Sequence, residues 1–374
     1  MERSSDLQFR VFDWLRFPLI VGVVFIHCFG KSFDYNALNF THLTGMDCYN
    51  LFRVSISQVL THVCVPVFYL ISGYLFFIGL EKWNWETYVT KLKKRCRSLL
   101  IPFLIWNTIC IMIAVLGVFR HEGFVGVQSF FADNGYLHLF WDCNHWNLDR
   151  TNWLGGANVA SSPYLTPLWF LRDLMVVCVC TPLLHYFFRI VRGWSLLILA
   201  ACYITGIFLP MPGFSITAFF FFGSGGYFSM NKIDTTKITY KYRKIIYTVA
   251  ALLWLVCTFF NGHNTIQGDI VYPFYVIIGS LATLNIATYI VSHDLLKIPQ
   301  TFSKGSFFVY LLHNIMVISI VTRVARIVFG ESSPVLMTVS YLVVPVVTTI
   351  ICITIYYLLN KFIPKICAVL TGSR

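Results

Sequence analysis

Long apolar segments alternate with short polar stretches along almost the whole chain. A helix needs about 20 apolar residues to cross a bilayer, and ten segments approach that length. The pattern therefore predicts an all-α, polytopic integral membrane protein of about ten transmembrane helices. The approximate spans are 12–30, 54–79, 98–118, 167–189, 194–209, 214–230, 245–261, 270–291, 306–325 and 334–360.

Composition and charge agree with a membrane protein and indicate its orientation. The 374 residues are 57% hydrophobic and 12% charged, whereas soluble domains have about 25% charged residues. Of the Lys and Arg residues, 21 fall on the side of the N-terminus and seven on the other side. This asymmetry predicts that both termini are cytoplasmic and that the protein is a multi-pass protein of the plasma (inner) membrane. It accounts for most of the net charge of +12 and gives no reason to expect a nucleic-acid partner.

Little sequence remains outside the spans, so residues 1–374 are predicted to form a single membrane domain. Two connections are distinctive. The cytoplasmic loop 81–97 is basic and leads directly into the third span. The outer loop 119–166 is the longest and mixes aromatic residues with carboxylates. Long loops are often functional, so this one is either a platform for a sugar or an ordinary solvated loop.

The first span carries three polar residues, Asp13, Arg16 and His27. Each charged group costs about 2.5–3.5 kcal/mol at the centre of a membrane helix on insertion scales. At about 100° per residue, Arg16 and His27 fall within about 20° of each other around the axis and about 16 Å apart along it. Asp13 lies three residues before Arg16 and can pair with it. The spacing predicts one polar stripe, with a reactive imidazole deep in the bilayer and a charged entrance below it.

Two further spans contain ionisable or polar groups. Trp169, Arg172 and Asp173 share one face of the fourth helix, and Tyr310 and His313 lie one turn apart in the ninth. Ionisable residues within a membrane span are functional candidates. For Tyr310 and His313, a hydrogen bond between helices is an equally good explanation.

The cysteines and the remaining histidines show no spacing typical of a metal site. We therefore predict no metal. Cys48 and Cys143 are the two cysteines in predicted outer loops, and the sequence leaves open whether they form a disulfide.

Five motifs, in order along the chain, resemble those of the acyltransferase 3 family of integral membrane acyltransferases. The first is Arg16 followed after ten residues by His27. The others are Val-Pro-Val-Phe-Tyr-Leu-Ile-Ser-Gly-Tyr-Leu at 65–75, the basic stretch Lys-Arg-Cys-Arg at 94–97 with Pro102, Leu-Trp-Phe-Leu at 168–171, and Ser-Phe-Phe-Val-Tyr-Leu-Leu-His at 306–313. The chain departs from the pattern at Phe308, where the family often has glycine.

The resemblance implies transfer of an acyl group, usually acetyl, from cytoplasmic acyl-CoA to a hydroxyl of a cell-surface glycan or glycolipid. His27 would act as a general base or as a covalent acyl relay, and the residues do not separate these routes. Arg16, oriented by Asp13, would contact the CoA moiety. The cationic groups that would bind its phosphates are Lys91, Lys94, Arg95 and Arg97. The expected acceptor-binding residues are Trp169, Arg172, Asp173, Tyr310 and His313.

Two alternatives from other classes remain. In a transporter or flippase for a sugar or lipid-linked glycan, the buried charges would line a translocation path. In a structural or regulatory membrane subunit, the polar stripe would only hold helices together. The sequence names neither the acceptor nor the acyl group, and it does not indicate the oligomeric state.

Overall fold

The computed structural model describes residues 2–30, 38, 41–151, 157–260 and 266–372. Nearly all of this part of the chain is helical, which confirms the predicted helical class. Two compact units emerge from the packing. The first contains residues 1–71 and 232–357, and the second contains residues 72–231 and 358–374. That residues 1–374 form one domain stays a prediction.

In the amino-terminal half, the helices are interrupted by short π-helical and 3-10 turns. In chain order the elements are α1 (Glu2–His27), α2 (Gly45–Arg53), a π turn (Val54–Val59), a 3-10 turn (Leu60–Val63), α3 (Cys64–Phe77), α4 (Trp85–Arg95), a π turn (Cys96–Leu100), α5 (Ile101–Asn134), α6 (His138–Trp141), β1 (Asn144–Thr151), β2 (Ala157–Ser162) and a 3-10 turn (Thr166–Leu168).

The carboxy-terminal half is helical throughout its described part. Its elements are α7 (Trp169–Val179), α8 (Thr181–Val191), α9 (Trp194–Thr205), α10 (Ile216–Met230), α11 (Thr235–Lys241), α12 (Arg243–Phe259), α13 (Ile266–Ser292), α14 (Gln300–Leu312), a π turn (His313–Val317), α15 (Ile318–Phe329), α16 (Pro334–Phe362) and α17 (Pro364–Leu370).

The number of membrane crossings is only partly established. By length and composition, five helical stretches in the described residues are long and apolar enough to cross a membrane, or seven if two bent pairs are each one span. The ten spans and the cytoplasmic termini therefore stay predictions.

Within the predicted outer loop 119–166, α5 continues as a helix to Asn134. That this segment lies outside the membrane stays a prediction. Three polar residues lie at 120–122, and the chain then bends at Gly123, whose φ of 66° is accessible to glycine. The rest of the segment contains α6 and a two-stranded antiparallel hairpin in which Asn144 pairs with Ser162. The hairpin is an exception to the predicted all-α class.

The predicted span 167–189 is not one continuous helix but two helices that meet at an angle of 59°. Pro182 lies in the first turn of α8. A proline has no N–H to donate to the carbonyl four residues earlier, and its ring collides with that carbonyl, which here belongs to Cys178. The bend separates α7, which carries Arg172 and Asp173, from α8.

In the first unit, α1 packs closely against the start of α3. A Cβ atom at Gly22 would lie 2.4 Å from Sγ of Cys64, so the two helices approach closely because residue 22 has no side chain. Nearer its amino-terminal end, α1 is held by Trp14, whose Nε1 donates to the Leu296 carbonyl at 2.9 Å. These contacts fix the helix that carries Asp13, Arg16 and His27.

Candidate active site

The first unit brings two predicted site residues together. The imidazole rings of His27, at the carboxyl end of α1, and His313, at the start of a π turn, have centroids 5.1 Å apart. Centroids this close place two aromatic rings in contact. The sequence placed both residues in membrane spans but gave no reason to expect their contact.

The hydrogen bonding of His313 defines which of its two ring nitrogens can accept a further hydrogen bond. Its ring is fully buried, and Nδ1 lies 3.0 Å from the carbonyl oxygen of Val309. A carbonyl can only accept, so Nδ1 carries the proton of a neutral ring and Nε2 keeps a lone pair. Within the described part of the chain, Nε2 is buried and bonds to no partner. A buried polar atom without a partner is costly and is typical of functional sites.

Local backbone geometry contributes to this placement. Leu312 ends α14, and the helix widens to a π turn over His313–Val317. Single π turns within helices occur frequently at functional sites. The predicted span 306–325 contained no signal for this turn.

The end of α1 beside His27 is held by hydrogen bonds from α2 and from the π turn that follows it. The carbonyl of Phe25 accepts from the backbone N–H of Cys28 at 3.1 Å and from the Ser57 hydroxyl at 2.5 Å. Nη1 of Arg53 donates to the carbonyl of Phe29 at 2.5 Å. The last carbonyls of a helix have no partner within it, so these side chains act as its cap. Ser57 and Arg53 were not predicted as site residues.

A cavity of about 260 Å³ lies at the same end of the first unit. It is lined by Cys28, the residue after His27, and by residues of α2, α15 and α16, including Arg53, Arg326 and Tyr341. Arg53 lies immediately before the predicted span 54–79, and an ionisable residue at that position is a signal in the sequence for a functional role.

The predicted pair of Asp13 and Arg16 is confirmed. Nη1 of Arg16 lies 3.2 Å from Oδ1 of Asp13, and both side chains are about half exposed. Arg16 does not line the cavity described above. A continuous path from Arg16 to His27 stays a prediction.

Tyr310, the other predicted site residue of the ninth span, lies one turn from His313, with ring centroids 6.5 Å apart. A third histidine of the first unit, His62, was not predicted as a site residue, although it also falls within an apolar span. It contacts the hydroxyl of Tyr272 on α13.

In the second unit, the predicted basic loop 81–97 is largely the helix α4, which begins where Asn84 caps it. Lys91 and Arg95 both lie over the ring of Phe76, each about 5.9 Å from its centroid. Lys94 and Arg97 are exposed. The helix therefore presents several cations close together, an arrangement that suits phosphate groups.

Arg172 and Asp173, which were predicted to share one face of the fourth helix, form an ion pair, and both are buried. Nη2 of Arg172 lies 2.9 Å from Oδ1 of Asp173. The guanidinium also donates to the Trp141 carbonyl at 2.7 Å and to the Ser161 carbonyl at 3.0 Å. The pair thus joins α7 to α6 and to the hairpin. Trp169 is half-buried at the start of α7, and acceptor binding by this group stays a prediction.

The cysteines do not form the disulfide that the sequence left open, since Cys48 and Cys143 are both free thiols. Among residues 2–30, 38, 41–151, 157–260 and 266–372, no three His, Cys, Asp or Glu side chains gather as a metal site would require. The expectation of no metal is not otherwise tested.

Comparisons with known proteins identify the class. The model of the acyltransferase 3 family, described as an acyltransferase domain, matches residues 9–357, so the chain belongs to this family. It is 25% identical over 384 residues to the succinoglycan biosynthesis protein ExoH of Rhizobium meliloti (strain 1021), covering 99% of this chain and 94% of that protein. No solved structure matches the chain.

Proposed function

We propose that the protein transfers an acyl group, most simply acetyl, from cytoplasmic acyl-CoA to a hydroxyl of a cell-surface polysaccharide or its lipid-linked precursor. Membership of the family and similarity to a succinoglycan biosynthesis protein support acyl transfer to a polysaccharide. The observation that carries the mechanism is the contact between His27 and His313, with Nε2 of His313 buried and holding a lone pair.

In the general-base route, a small rotation of the His27 ring brings its protonated nitrogen into a hydrogen bond with Nε2 of His313, a bond that the two rings in contact do not make in the structure. The other nitrogen of His27 then holds a lone pair and takes the proton of the acceptor hydroxyl. The oxygen attacks the thioester carbonyl, the carbon–sulfur bond breaks, and the CoA thiolate takes the proton from His27. His313 is a positioning residue in this scheme because it selects the reactive tautomer of His27.

In the relay route, the same lone pair of His27 attacks the thioester carbonyl, the carbon–sulfur bond breaks, and CoA leaves as a thiolate from an acyl-imidazolium. The acceptor hydroxyl then attacks that carbonyl, neutral imidazole leaves with the electron pair of its carbon–nitrogen bond, and the proton of the hydroxyl passes to the CoA thiolate. Both routes need a neutral His27. They differ in one respect, because only in the relay route does the acyl group of the donor become attached to the enzyme.

We assign Arg16 with Asp13, and the cations Lys91, Lys94, Arg95 and Arg97, to the donor. Arginine and lysine bind phosphates through charge-assisted hydrogen bonds, and CoA carries several phosphates. Trp169, Arg172, Asp173 and Tyr310 are proposed to serve the acceptor. These assignments place the donor on the side of the chain termini and the acceptor on the opposite side.

The test uses the purified full chain in nanodiscs, with acetyl-CoA labelled in its acetyl group and glycan extracts of the native cell. His27→Ala is expected to bind CoA normally and to lose transfer by at least about 1,000-fold, since both routes need its lone pair. His313→Gln is expected to lose about tenfold to 100-fold in kcat with KM little changed. The matched control is His293→Asn, an exposed histidine of the same unit, which should keep wild-type transfer.

A donor-only incubation separates the two routes, because label on His27 after rapid quenching indicates the relay. Full transfer by His27→Ala would contradict the proposal. Uptake of a sugar into vesicles without acyl-CoA, with no labelled product, would favour the transporter or flippase instead.

A further inference from the structure

Aromatic side chains gather beside the basic helix α4 of the second unit, and the proposed reaction does not use them. The ring of Trp83, just before α4, is at their centre. Its centroid lies 5.1 Å from that of Trp85, 5.2 Å from that of Tyr88 and 5.0 Å from that of His185 on α8. The ring of Tyr186, also on α8, has its centroid 6.3 Å away. We call these five residues the aromatic cluster.

The aromatic cluster is fixed in place but open on its outer side. The hydroxyl of Tyr88 donates to the carbonyl of Val179 at 3.0 Å, which joins α4 to the end of α7. The ring of Trp85 meets those of Trp83 and Tyr88 nearly edge to face, a preferred arrangement of aromatic rings. Trp85 is nevertheless 58% exposed, and Tyr186 is 49% exposed. Rings that are already held by their neighbours lose little entropy when a flat ligand stacks on them.

Three nitrogen atoms behind these rings have no hydrogen-bond partner in the described part of the chain. They are Nε1 of Trp83 and both ring nitrogens of His185, and all three are buried. The carbonyls of Leu80 and Glu81 lie near the ring of His185, outside the geometry of a hydrogen bond. Buried polar atoms without partners are uncommon in folded proteins and call for an explanation. A ligand that brings its own donors and acceptors is such an explanation, whereas a purely apolar anchor in the membrane surface is not.

Positive charge lies next to the aromatic cluster on the same helix. Residues 81–97 contain six Lys or Arg residues against two Glu residues. Lys91 lies over the ring of Phe76, whose centroid is 6.5 Å from that of Tyr88 in the aromatic cluster. Lys91 follows Trp85 by six residues, which is about 9 Å along the helix. A nucleotide separates its flat base from its phosphates by a similar length, so one helix can bind both parts.

We propose that the aromatic cluster binds the adenine base of the acyl donor, while the neighbouring cations of α4 bind its phosphates. The inference rests on the proposed function, since it takes the donor to be acyl-CoA, which carries an adenosine nucleotide. The base stacks on the exposed ring of Trp85, and such stacking suits any base because every base has a π-face. A rotation of the half-buried ring of Trp83 turns its Nε1 toward a ring nitrogen of the adenine, which accepts. Side-chain rotations of this kind are common on binding.

Binding of nucleotide fragments to the purified full chain in phosphatidylcholine nanodiscs tests the proposal. Calorimetry compares adenosine 3′,5′-bisphosphate with methyl ribofuranoside 3,5-bisphosphate, which has the same phosphates but no base. The adenosine compound should bind about tenfold to 100-fold more tightly, as stacking on one aromatic ring typically contributes. Trp85→Ala should abolish most of this preference, and Trp85→Phe, which keeps a ring, should retain most of it.

The matched control is Trp194→Ala, at a tryptophan of the same unit that is 71% exposed at the start of α9 and is not part of the aromatic cluster. It should leave both affinities unchanged. Equal affinity of the wild type for the two compounds would overturn the proposal, and this comparison holds even if Trp85→Ala does not fold. An unchanged preference in folded Trp85→Ala would also overturn it. Either result would make the aromatic cluster an anchor at the membrane surface.

Transfer assays separate this inference from the proposed function. Trp85→Ala should raise KM for acetyl-CoA about tenfold or more, and it should leave KM unchanged for S-acetyl-4′-phosphopantetheine, which lacks the nucleotide. An equal rise for both donors would contradict binding of the base. If the wild type transfers from neither donor, the proposed function fails, while calorimetry still decides whether the aromatic cluster binds adenine.

Discussion

The hydroxyls of Ser57 and Tyr341 lie 2.6 Å apart, and Ser57 also bonds to the carbonyl of Phe25 at 2.5 Å. Since the single proton of Ser57 is donated to that carbonyl, Tyr341 must be the donor to Ser57. The chain of bonds runs from α16 through a π turn to the last turn of α1. It holds the backbone two residues before His27.

Ser57→Ala is expected to lower the free energy of unfolding by about 1–3 kcal/mol, because the carbonyl of Phe25 and the hydroxyl of Tyr341 both lose a buried partner. Thermal unfolding in nanodiscs measures this change, and kcat should fall with it. The control is Ser55→Ala in the same π turn, whose hydroxyl donates to the nearby carbonyl of Phe52 at 3.0 Å. Equal stability of the two variants would show that the bond to Phe25 does not support the end of α1.

Asp173→Ala is expected to cost about 3–5 kcal/mol, since it leaves the buried guanidinium of Arg172 without its counter-charge. The double variant Arg172→Met, Asp173→Leu should be far less harmful, because it removes both charges together. Thermal unfolding of the single and double variants makes the comparison. If the double variant folds but no longer transfers to the acceptor, the pair also has the predicted binding role. If it is as unstable as Asp173→Ala, the hydrogen bonds to Trp141 and Ser161 are the more important contribution.

Gly73→Ala should prevent the second unit from folding correctly. A Cβ atom at this position would lie 1.9 Å from the carbonyl oxygen of Phe222 in α10. Backbone cannot move aside as a flexible side chain can, so α3 and α10 would have to separate. Gly117→Ala is the matched control, because a Cβ atom at this helical glycine meets nothing within 4 Å. Size-exclusion chromatography after extraction should show a monodisperse protein for the control and aggregates for Gly73→Ala.

The double variant Lys94→Gln, Arg97→Gln tests the donor assignment. Removing two exposed cations should raise KM for acyl-CoA about tenfold, while kcat stays near the wild-type value. The difference in KM between the variant and the wild type should decrease at high salt, which screens the charges. Steady-state transfer at two ionic strengths gives both numbers. Lys361→Gln, at the end of α16, is the control for loss of a basic residue. A fall in kcat with unchanged KM would contradict phosphate binding.

Cys143 should react slowly with alkylating reagents. Burial, together with the nearby carboxylate of Asp142, raises the pKa of its thiol from 9.0 to about 11. The thiolate is the reactive form, so at pH 8 its alkylation should be about 100-fold slower than that of a thiol with the ordinary pKa. The rate should increase about tenfold per pH unit up to about pH 11. Peptide mass spectrometry gives the rate, and fast labelling at pH 8 would show that the thiol is not buried.

The sequence by itself determined the helical class and most of the helices, because apolar stretches of this length are read locally. It also predicted the pair of Asp13 and Arg16, since side chains three residues apart are neighbours on one face of a helix. The resemblance to the family could be recognised for the same reason, because the family's motifs are short continuous stretches of sequence such as residues 306–313. The predicted helix boundaries were wrong where two local signals compete. At Pro182, for example, a proline divides one apolar stretch into α7 and α8.

Only the tertiary structure decided which distant residues meet. His27 and His313 stand near opposite ends of the chain, and nothing in either helix indicates that their rings touch. The cavity is likewise lined by residues of α2, α15 and α16 and by the residues that follow α1. The guanidinium of Arg53 donates both to the side chain of Asn50 and to the carbonyl of Phe29. Hydropathy records whether a side chain avoids water, whereas its neighbours depend on how whole helices pack. The helical class and the family could therefore be predicted from the sequence, whereas the geometry of the site could not.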